Sequence, residues 1–420
     1  MTKTGMESHE ISRLTETIDG VLRILREKSG AWIVLALLIP IGALGASYAA
    51  PQFIVVAAQP FAVVVTYALF GSALTLWVFF RPDQAWPVPF KIFISSLAVL
   101  WIAGVARSLA QNDPFSLTAL VVGPGLACVA LKRSSARFVW MAGDTFALGL
   151  VSVSALAQVQ DLLGVREMRE QFWIRLPFIA DFVGPIPRWE GPFTSPNIAG
   201  PVGAFLVVYG LWRSGLLRLT LIASGGVIVL LADSRTGFVA VLLPLVVLLV
   251  WRLLRKPHSS KSWRIGVLGS AVALAIVFLW GGLRVDPTVG GRVEIWIRFL
   301  DLWRENWLFG AGRAGIGEVI SSGSLPSWAD HGHSLPIDVL GRFGLLGIAA
   351  LLVALVCASL LVGKDARAGN GAALSLLVMF VAAGTTEDLV DWRYLGIHYV
   401  PLLLSAMLAA ANSSQREVES

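Results

Sequence analysis

The chain has 420 residues, 56% of them hydrophobic and only 14% charged, with a mean hydropathy of +0.74. These values exclude a water-soluble globular protein of this length and point to repeated crossing of a bilayer. The formal net charge of +6 does not call for nucleic acid, because the basic residues follow the membrane topology they define.

In chain order, residues 1–30 are expected on the cytoplasmic side. Within them ISRLTETIDGVLRIL (11–25) reads as an amphipathic helix on the inner membrane surface, and no signal peptide precedes the first span. Apolar runs of about 18 residues or more then recur, the length a helix needs to cross hydrocarbon. They lie near 31–49, 58–80, 91–107, 114–131, 138–158, 196–212, 215–232, 236–254, 265–281, 335–362, 371–387 and 394–411. The expected fold is therefore all-α: a polytopic membrane protein of about 12 transmembrane helices over residues 31–411, with a cytoplasmic tail at 412–420. Cys128 and Cys357 both fall in these runs and offer neither a disulfide framework nor a zinc spacing.

Charge placement is an independent test of that list. All of the lysines (Lys3, Lys28, Lys91, Lys132, Lys256, Lys261, Lys364) fall in segments assigned to the cytoplasmic side, and the basic residues assigned to the outside are all arginine. Cytoplasmic loops carry the Lys/Arg excess in membrane proteins, so both termini are placed inside the cell. No internal repeat of the transporter kind is present.

Two outer segments are long: residues 159–195, and residues 282–334 between the ninth and tenth spans. Both are too rich in Trp and Phe for disorder, and loops of this length tend to carry function. Within the second, GGRVEIWIRFLDLWRENW (290–307) has helical periodicity. Glu294, Arg298, Asp301 and Glu305 form one stripe, with Trp296, Phe299 and Trp303 opposite. The expectation is a helix along the outer membrane–water boundary, aromatic face to lipid. Arg292 shares that aromatic face, where a guanidinium requires an anionic partner or a wet cleft; the plainer alternative is a snorkelling side chain.

GAGRAGIG (310–317) holds a formal G-x-G-x-x-G, but it follows an interfacial helix rather than a strand, so a dinucleotide site is rejected. Its glycines would let backbone approach a ligand or a membrane. In HGHSLPIDVLGRFGLLG (331–347), Ser334 is placed as an N-cap and Pro336 in the first helical turn. Asp338 and Arg342 then stand four residues apart, where they would form an ion pair. His331 and His333 are two of five histidines in the chain. At the mouth of a span, imidazole can accept a proton near neutral pH.

Taken in order, GPFTSPNIAG (191–200), SRTG (234–237), RVEIWIRFLDLWRENWLFGAGRAGIG (292–317) and HSLPIDVLGRFGLLG (333–347) resemble the bacterial O-antigen ligase and Wzy-type polysaccharide polymerase family. The last stretch is similar to that family's pattern of His, Asn or Ser, nine residues, then Gly-x-x-Gly. The resemblance implies a GT-C-like, metal-independent glycosyltransferase that needs no cofactor. Its donor would be an undecaprenyl-pyrophosphate-linked glycan and its acceptor a glycan or glycolipid hydroxyl, on the extracytoplasmic face of the bacterial inner (plasma) membrane. The family's two key arginines fall on Arg235 and Arg292, holding the pyrophosphate, and its histidine on His333, activating the acceptor. Arg188, Arg313, Trp296, Asn197 and His331 are the further substrate-binding candidates. Asp338 and Arg342 depart from the family, which commonly has Gln and Glu there.

The chemistry of the residues agrees with that assignment. Breaking an anomeric C–O bond leaves charge on a pyrophosphate, and planar guanidinium groups stabilise such charge through bidentate hydrogen bonds. Arg235 adjoins Asp233, so an Asp–Arg pair is its plainer reading. Ligase-type transfer is the leading expectation, with a polymerase joining lipid-linked repeat units as the near alternative. A transporter or flippase would want several ionisable groups at mid-membrane depth, and Asp144 is the one found within a span.

Overall fold

The computed structural model describes residues 86–110, 136–162, 188–193, 195–255, 287–326, 329, 331–385, 387 and 400–419. Among them the chain is helical, without a strand. The helices are α1 (Val88–Ala110), α2 (Ala136–Leu162), α3 (Pro196–Gly210), α4 (Gly215–Ala232), α5 (Arg235–Arg255), α6 (Pro287–Glu305), α7 (Gly312–Ser321), α8 (Leu335–Arg367), α9 (Ala372–Gly384) and α10 (Val400–Glu419). The runs expected near 31–49, 58–80, 114–131 and 265–281, the segment 11–25 and Cys128 lie outside the described residues, as do 163–187 of the first long loop.

Among the described residues, four stretches are long and apolar enough to cross a membrane: Val139–Val159, Gly215–Ala232, Arg235–Leu253 and Leu335–Arg367. Leu216 and Leu219 on α4, Leu249 on α5, and Val356 and Leu360 on α8 point outward and are exposed. In water such faces would be a standing cost of about 25 cal/mol per Å². Against acyl chains they are at home, and helices keep every backbone polar group paired inside hydrocarbon. This is a membrane protein.

Inside the bundle, α3 packs on α4, α5 and α9, while α8 packs on α1, α6, α9 and α10. Small residues permit the closest approaches: Gly203 of α3 meets Gly225 of α4, and Gly200 of α3 meets Gly237 of α5. A Cβ at Gly237 would stand 2.9 Å from the Gly200 Cα, so these two backbones touch. Asp144 is tied to Arg213 by an ion pair and accepts a hydrogen bond from the Tyr209 hydroxyl at 2.8 Å. The Arg213 guanidinium also lies over the Trp140 ring, 4.8 Å from its centroid. Asp144 is thus a satisfied interior group.

The helix expected at 290–307 is α6, but its surroundings differ from the expectation. Ile295, Phe299 and Leu302 are buried in a small second core with Ala311, Ile316, Leu325 and Ala329. Phe299 packs against Gly341 of α8, where a Cβ would stand 2.6 Å from its ring. The centre of the aromatic face, Phe299, meets protein, because the segment folds back over α8 and offers it an apolar partner, while Trp296 and Trp303 stay half-buried. Glu294, Arg298 and Glu305 remain exposed, as an amphipathic helix requires.

The connection from α6 to α7 is built into α8. Gly344 breaks α8 with φ 63° and ψ −156°. At that break Ala311 N donates to Gly341 O (2.8 Å), Leu345 N to Trp307 O (2.8 Å) and Leu346 N to Leu308 O (3.2 Å). Gly310, also left-handed at φ 72°, lies directly on the Arg342–Phe343 peptide. A side chain at either glycine would fall inside the other segment's backbone. Of the glycines expected to approach a ligand or a membrane, Gly310 approaches α8 instead, and Gly317 faces open space.

Candidate functional site

The candidate residues gather in two sets, each at the start of a long helix. The first surrounds Arg235. Helix α4 ends at Asp233, a left-handed residue with φ 44° whose N–H bonds Leu230 O. This conformation lets the chain reverse and open α5 at Arg235 with only Asp233 and Ser234 between the helices. Ser234 Oγ accepts from Gly237 N at 3.3 Å. Arg188 clamps the turn from outside. Its Nε donates to Ala232 O (2.9 Å), and its Nη2 to Asp233 O (3.1 Å) and to Asn197 Oδ1 (3.2 Å). Asn197 sits in the first turn of α3, where Ser195 Oγ caps the helix by accepting from Asn197 N at 3.2 Å. Arg188 and Asn197 therefore hold the turn that presents Arg235, which is itself exposed.

The second set surrounds His333. The tripeptide His331–Gly332–His333 lies on the first turn of α8, and His333 is left-handed at φ 46°. Gly332 N donates to Asp338 Oδ1 at 2.8 Å, and Gly332 O accepts from Trp296 Nε1 at 2.8 Å. Asp338 in turn pairs with Arg342, Nε to Oδ2 at 2.7 Å, and both are buried. The expected ion pair is present, but at the floor of the site rather than on a wet face. Ser334 occupies the N-cap with extended backbone, and Pro336 lies in the first turn, as expected; the Ser334 hydroxyl makes no capping bond.

Arg292 meets Glu387, Nη2 to Oε1 at 3.0 Å, and the other carboxylate oxygen faces His333 Nδ1 at 3.5 Å. Glu387 is only 3% exposed and His333 8%. The His331 and His333 rings stand 4.0 Å apart between centroids. Burial pushes the His333 pKa below its ordinary 6.5, with His331 and Arg292 adding to the fall and Glu387 opposing it. Burial works against the Glu387 charge, but the hydrogen bond and charge of His333, together with Arg292, outweigh it and hold the carboxyl below its usual range. At neutral pH the set is an ionised Glu387 bridging a guanidinium and an imidazole able to accept a proton.

Arg292 thus has the anionic partner that its position on an apolar face demands. Glu387 was not found from sequence. Its signal is the acidic TTED at the end of an apolar run, with nothing to distinguish Glu387 from Asp388 or to link either to Arg292. Trp296 holds the histidine loop through its indole N–H. Arg313 stands in the first turn of α7. His331, His333 and Glu387 are also residue types that hold a divalent transition metal, with one ligand atom of each lying within 4.8 Å of the others. The Arg292 cation bonded to Glu387 opposes a second positive charge there.

These two sets, one presenting an arginine and one a buffered histidine, bracket a single stretch of chain. Residues 219–352 match the O-antigen ligase family. The match contains Arg235, Arg292 and His333, the three positions on which the sequence motifs place that family's key residues. O-antigen ligases and the related polymerases are enzymes acting on lipid-linked glycans. Arg188, Asn197 and Glu387 lie outside the matched stretch and join its residues only through the fold. No curated protein matches the chain.

Proposed function

We propose that the protein is an O-antigen ligase-type glycosyltransferase, moving a glycan from an undecaprenyl-pyrophosphate donor to an acceptor hydroxyl on the extracytoplasmic face of the inner membrane. The observation that carries this reading is the bridge Arg292–Glu387–His333, which ties a half-buried guanidinium, suited to pyrophosphate, to a buried imidazole suited to accept a proton.

In the proposed step the acceptor oxygen attacks the anomeric carbon, forming the new glycosidic bond as the C–O bond to the pyrophosphate breaks. The electron pair of that bond leaves with the pyrophosphate, where Arg292 and Arg235 stabilise it. The acceptor proton passes to His333 Nε2, while Glu387 at Nδ1 holds the ring orientation and stabilises the imidazolium. All charge compensation in this scheme comes from side chains, so the reaction is metal-independent and a chelator leaves the rate unchanged. Asp144, paired with Arg213 and Tyr209, is a structural tie and not a transport relay.

The test uses the protein in nanodiscs with one lipid-linked repeat unit, with and without an external glycolipid acceptor, and with His333→Ala as control. Transfer that requires the external acceptor and disappears in the variant supports the ligase. A ladder of repeat units without that acceptor assigns the polymerase reaction to the same residues. Absence of any transfer, with lipid-linked sugar crossing the vesicle, overturns the enzyme reading.

A further inference from the structure

We infer that Trp296, Asp338 and Arg342 are positioning residues that clamp the His331–Gly332–His333 backbone and thereby aim the His333 imidazole. This rests on the reading of His333 as the proton acceptor.

The two peptide groups that join His331 to His333 are each held by one hydrogen bond from a different helix. The first is held at the Gly332 N–H by Asp338 Oδ1 of α8 (2.8 Å), the second at the Gly332 carbonyl by Trp296 Nε1 of α6 (2.8 Å). With both peptide planes fixed, the backbone on either side of Gly332 cannot rotate independently. Gly332 also lies flat on α8: an added Cβ would stand 3.0 Å from Asp338 N and 3.2 Å from its Cα.

The clamp has work to oppose. A left-handed conformation is unfavourable at a residue with a Cβ, and His333 adopts it at φ 46°. Released, the backbone relaxes toward negative φ and carries the imidazole away from Glu387, 3.5 Å from Nδ1. Arg342 completes the device. Asp338 is 0% exposed, and a buried carboxylate requires an opposite charge. Arg342 supplies it at Oδ2, which leaves Oδ1 turned to Gly332. Trp296 stands one helical turn after Arg292, so α6 delivers the phosphate-binding guanidinium and the indole of the clamp from one face.

The experiment compares Trp296→Phe, which keeps the ring and removes only the N–H, with Asp338→Asn, Arg342→Gln and the Asp338→Asn/Arg342→Gln double variant. Two readouts are taken in nanodiscs. One is the kcat and KM of transfer. The other, independent of transfer, is the rate at which diethyl pyrocarbonate modifies His333 relative to His258, followed by peptide mass spectrometry. Loss of a buried neutral hydrogen bond, worth about 1–1.5 kcal/mol, corresponds to about a tenfold fall in kcat for Trp296→Phe at little change in KM. His333 modification rises severalfold in the same variant. The Arg342→Gln defect is larger, and the double variant recovers part of it, because no unpaired charge stays buried. Phe93→Leu, a buried change in α1, serves as the destabilised control and leaves the His333 to His258 ratio as in wild type. An unaltered kcat and an unaltered ratio in Trp296→Phe and Asp338→Asn would overturn the positioning role. If the ratio rises while His333→Ala still transfers glycan, the clamp stands and the proton-acceptor reading falls.

Discussion

Among the described residues, two with side chains adopt left-handed backbone, and each immediately precedes a helix of the candidate site. Asp233, two residues before Arg235, is gripped by a guanidinium on the carbonyls of its turn; His333, two residues before Leu335, is gripped by a carboxylate and an indole on the neighbouring glycine. In the first case the strained residue precedes an exposed candidate, Arg235; in the second the strained residue is itself the candidate, His333, and it is buried. In the proposed reaction a cation meeting a large charged headgroup tolerates latitude in its side chain, and a group that takes a proton from one hydroxyl does not.

The comparison is broken most severely at the histidine. His333→Ala is expected to lower kcat by about 10²–10⁴, the range typical of general-base loss, with donor affinity retained. A gel or mass assay of glycan transfer beside a donor-binding measurement checks both. Next come the two arginines, each changed to lysine. Arg292 is fixed to Glu387 through one arm of its fork, so a lysine there must abandon either the carboxylate or the phosphate; a loss of about 10² in kcat/KM is expected. Arg235→Lys keeps a charge at an exposed helix start and is expected to lose only about tenfold. Equal losses at the two positions would erase the distinction between fixed and adaptable cations.

Glu387→Gln sharpens the histidine side. Only neutral His333 can accept a proton, so activity is present above its pKa, itself held below 6.5 by burial, and is lost as pH falls through that value. Glu387 opposes the fall, so its neutralisation lowers the His333 pKa further and moves the acid limb of the pH–rate profile to lower pH. The rate at neutral pH drops about tenfold through lost orientation. A limb that moves upward would contradict the geometry. The smallest effect belongs to Asp233→Gly. It relieves a left-handed strain of about 1 kcal/mol and leaves transfer within about twofold, with a slightly raised melting temperature. The turn is scaffolding only if that variant stays active.

What sequence could supply was anything with a period or a local rule. Apolar runs place α2, α4, α5 and α8; the heptad-like spacing of Glu294, Arg298 and Asp301 places α6; and Ser334 before Pro336 marks the start of α8. The four motifs single out Arg235, Arg292 and His333 because their order is itself information; the structure brings Arg292 and His333 to one set and leaves Arg235 in the other. Glu387 was out of reach, since its partners lie 54 and 95 positions away and the adjacent Asp388 is as acidic as it is. The inward turn of the aromatic face of α6 was also hidden. An aromatic stripe reads the same whether it meets lipid or another helix, and the difference rests on Phe299 finding Gly341. Asp338 and Arg342 were visible as a pair, but their role depends on Gly332 lying against them, a contact with no local signature.

The splice at Gly344 has a bearing on how this part of the molecule assembles. A transmembrane helix ordinarily completes its own backbone pairing and can insert before its neighbours arrive. Here Gly341 O, Leu345 N and Leu346 N find their partners on residues 307–311 of a preceding segment. In an unbroken helix Gly341 O would accept from Leu345 N; at the break the two turn instead to Ala311 N and Trp307 O, so α8 holds its kinked form only with residues 307–311 in place. The start of α8 therefore takes its final form only when the earlier connection docks on it. Docking of residues 307–311 and completion of the start of α8 are one step.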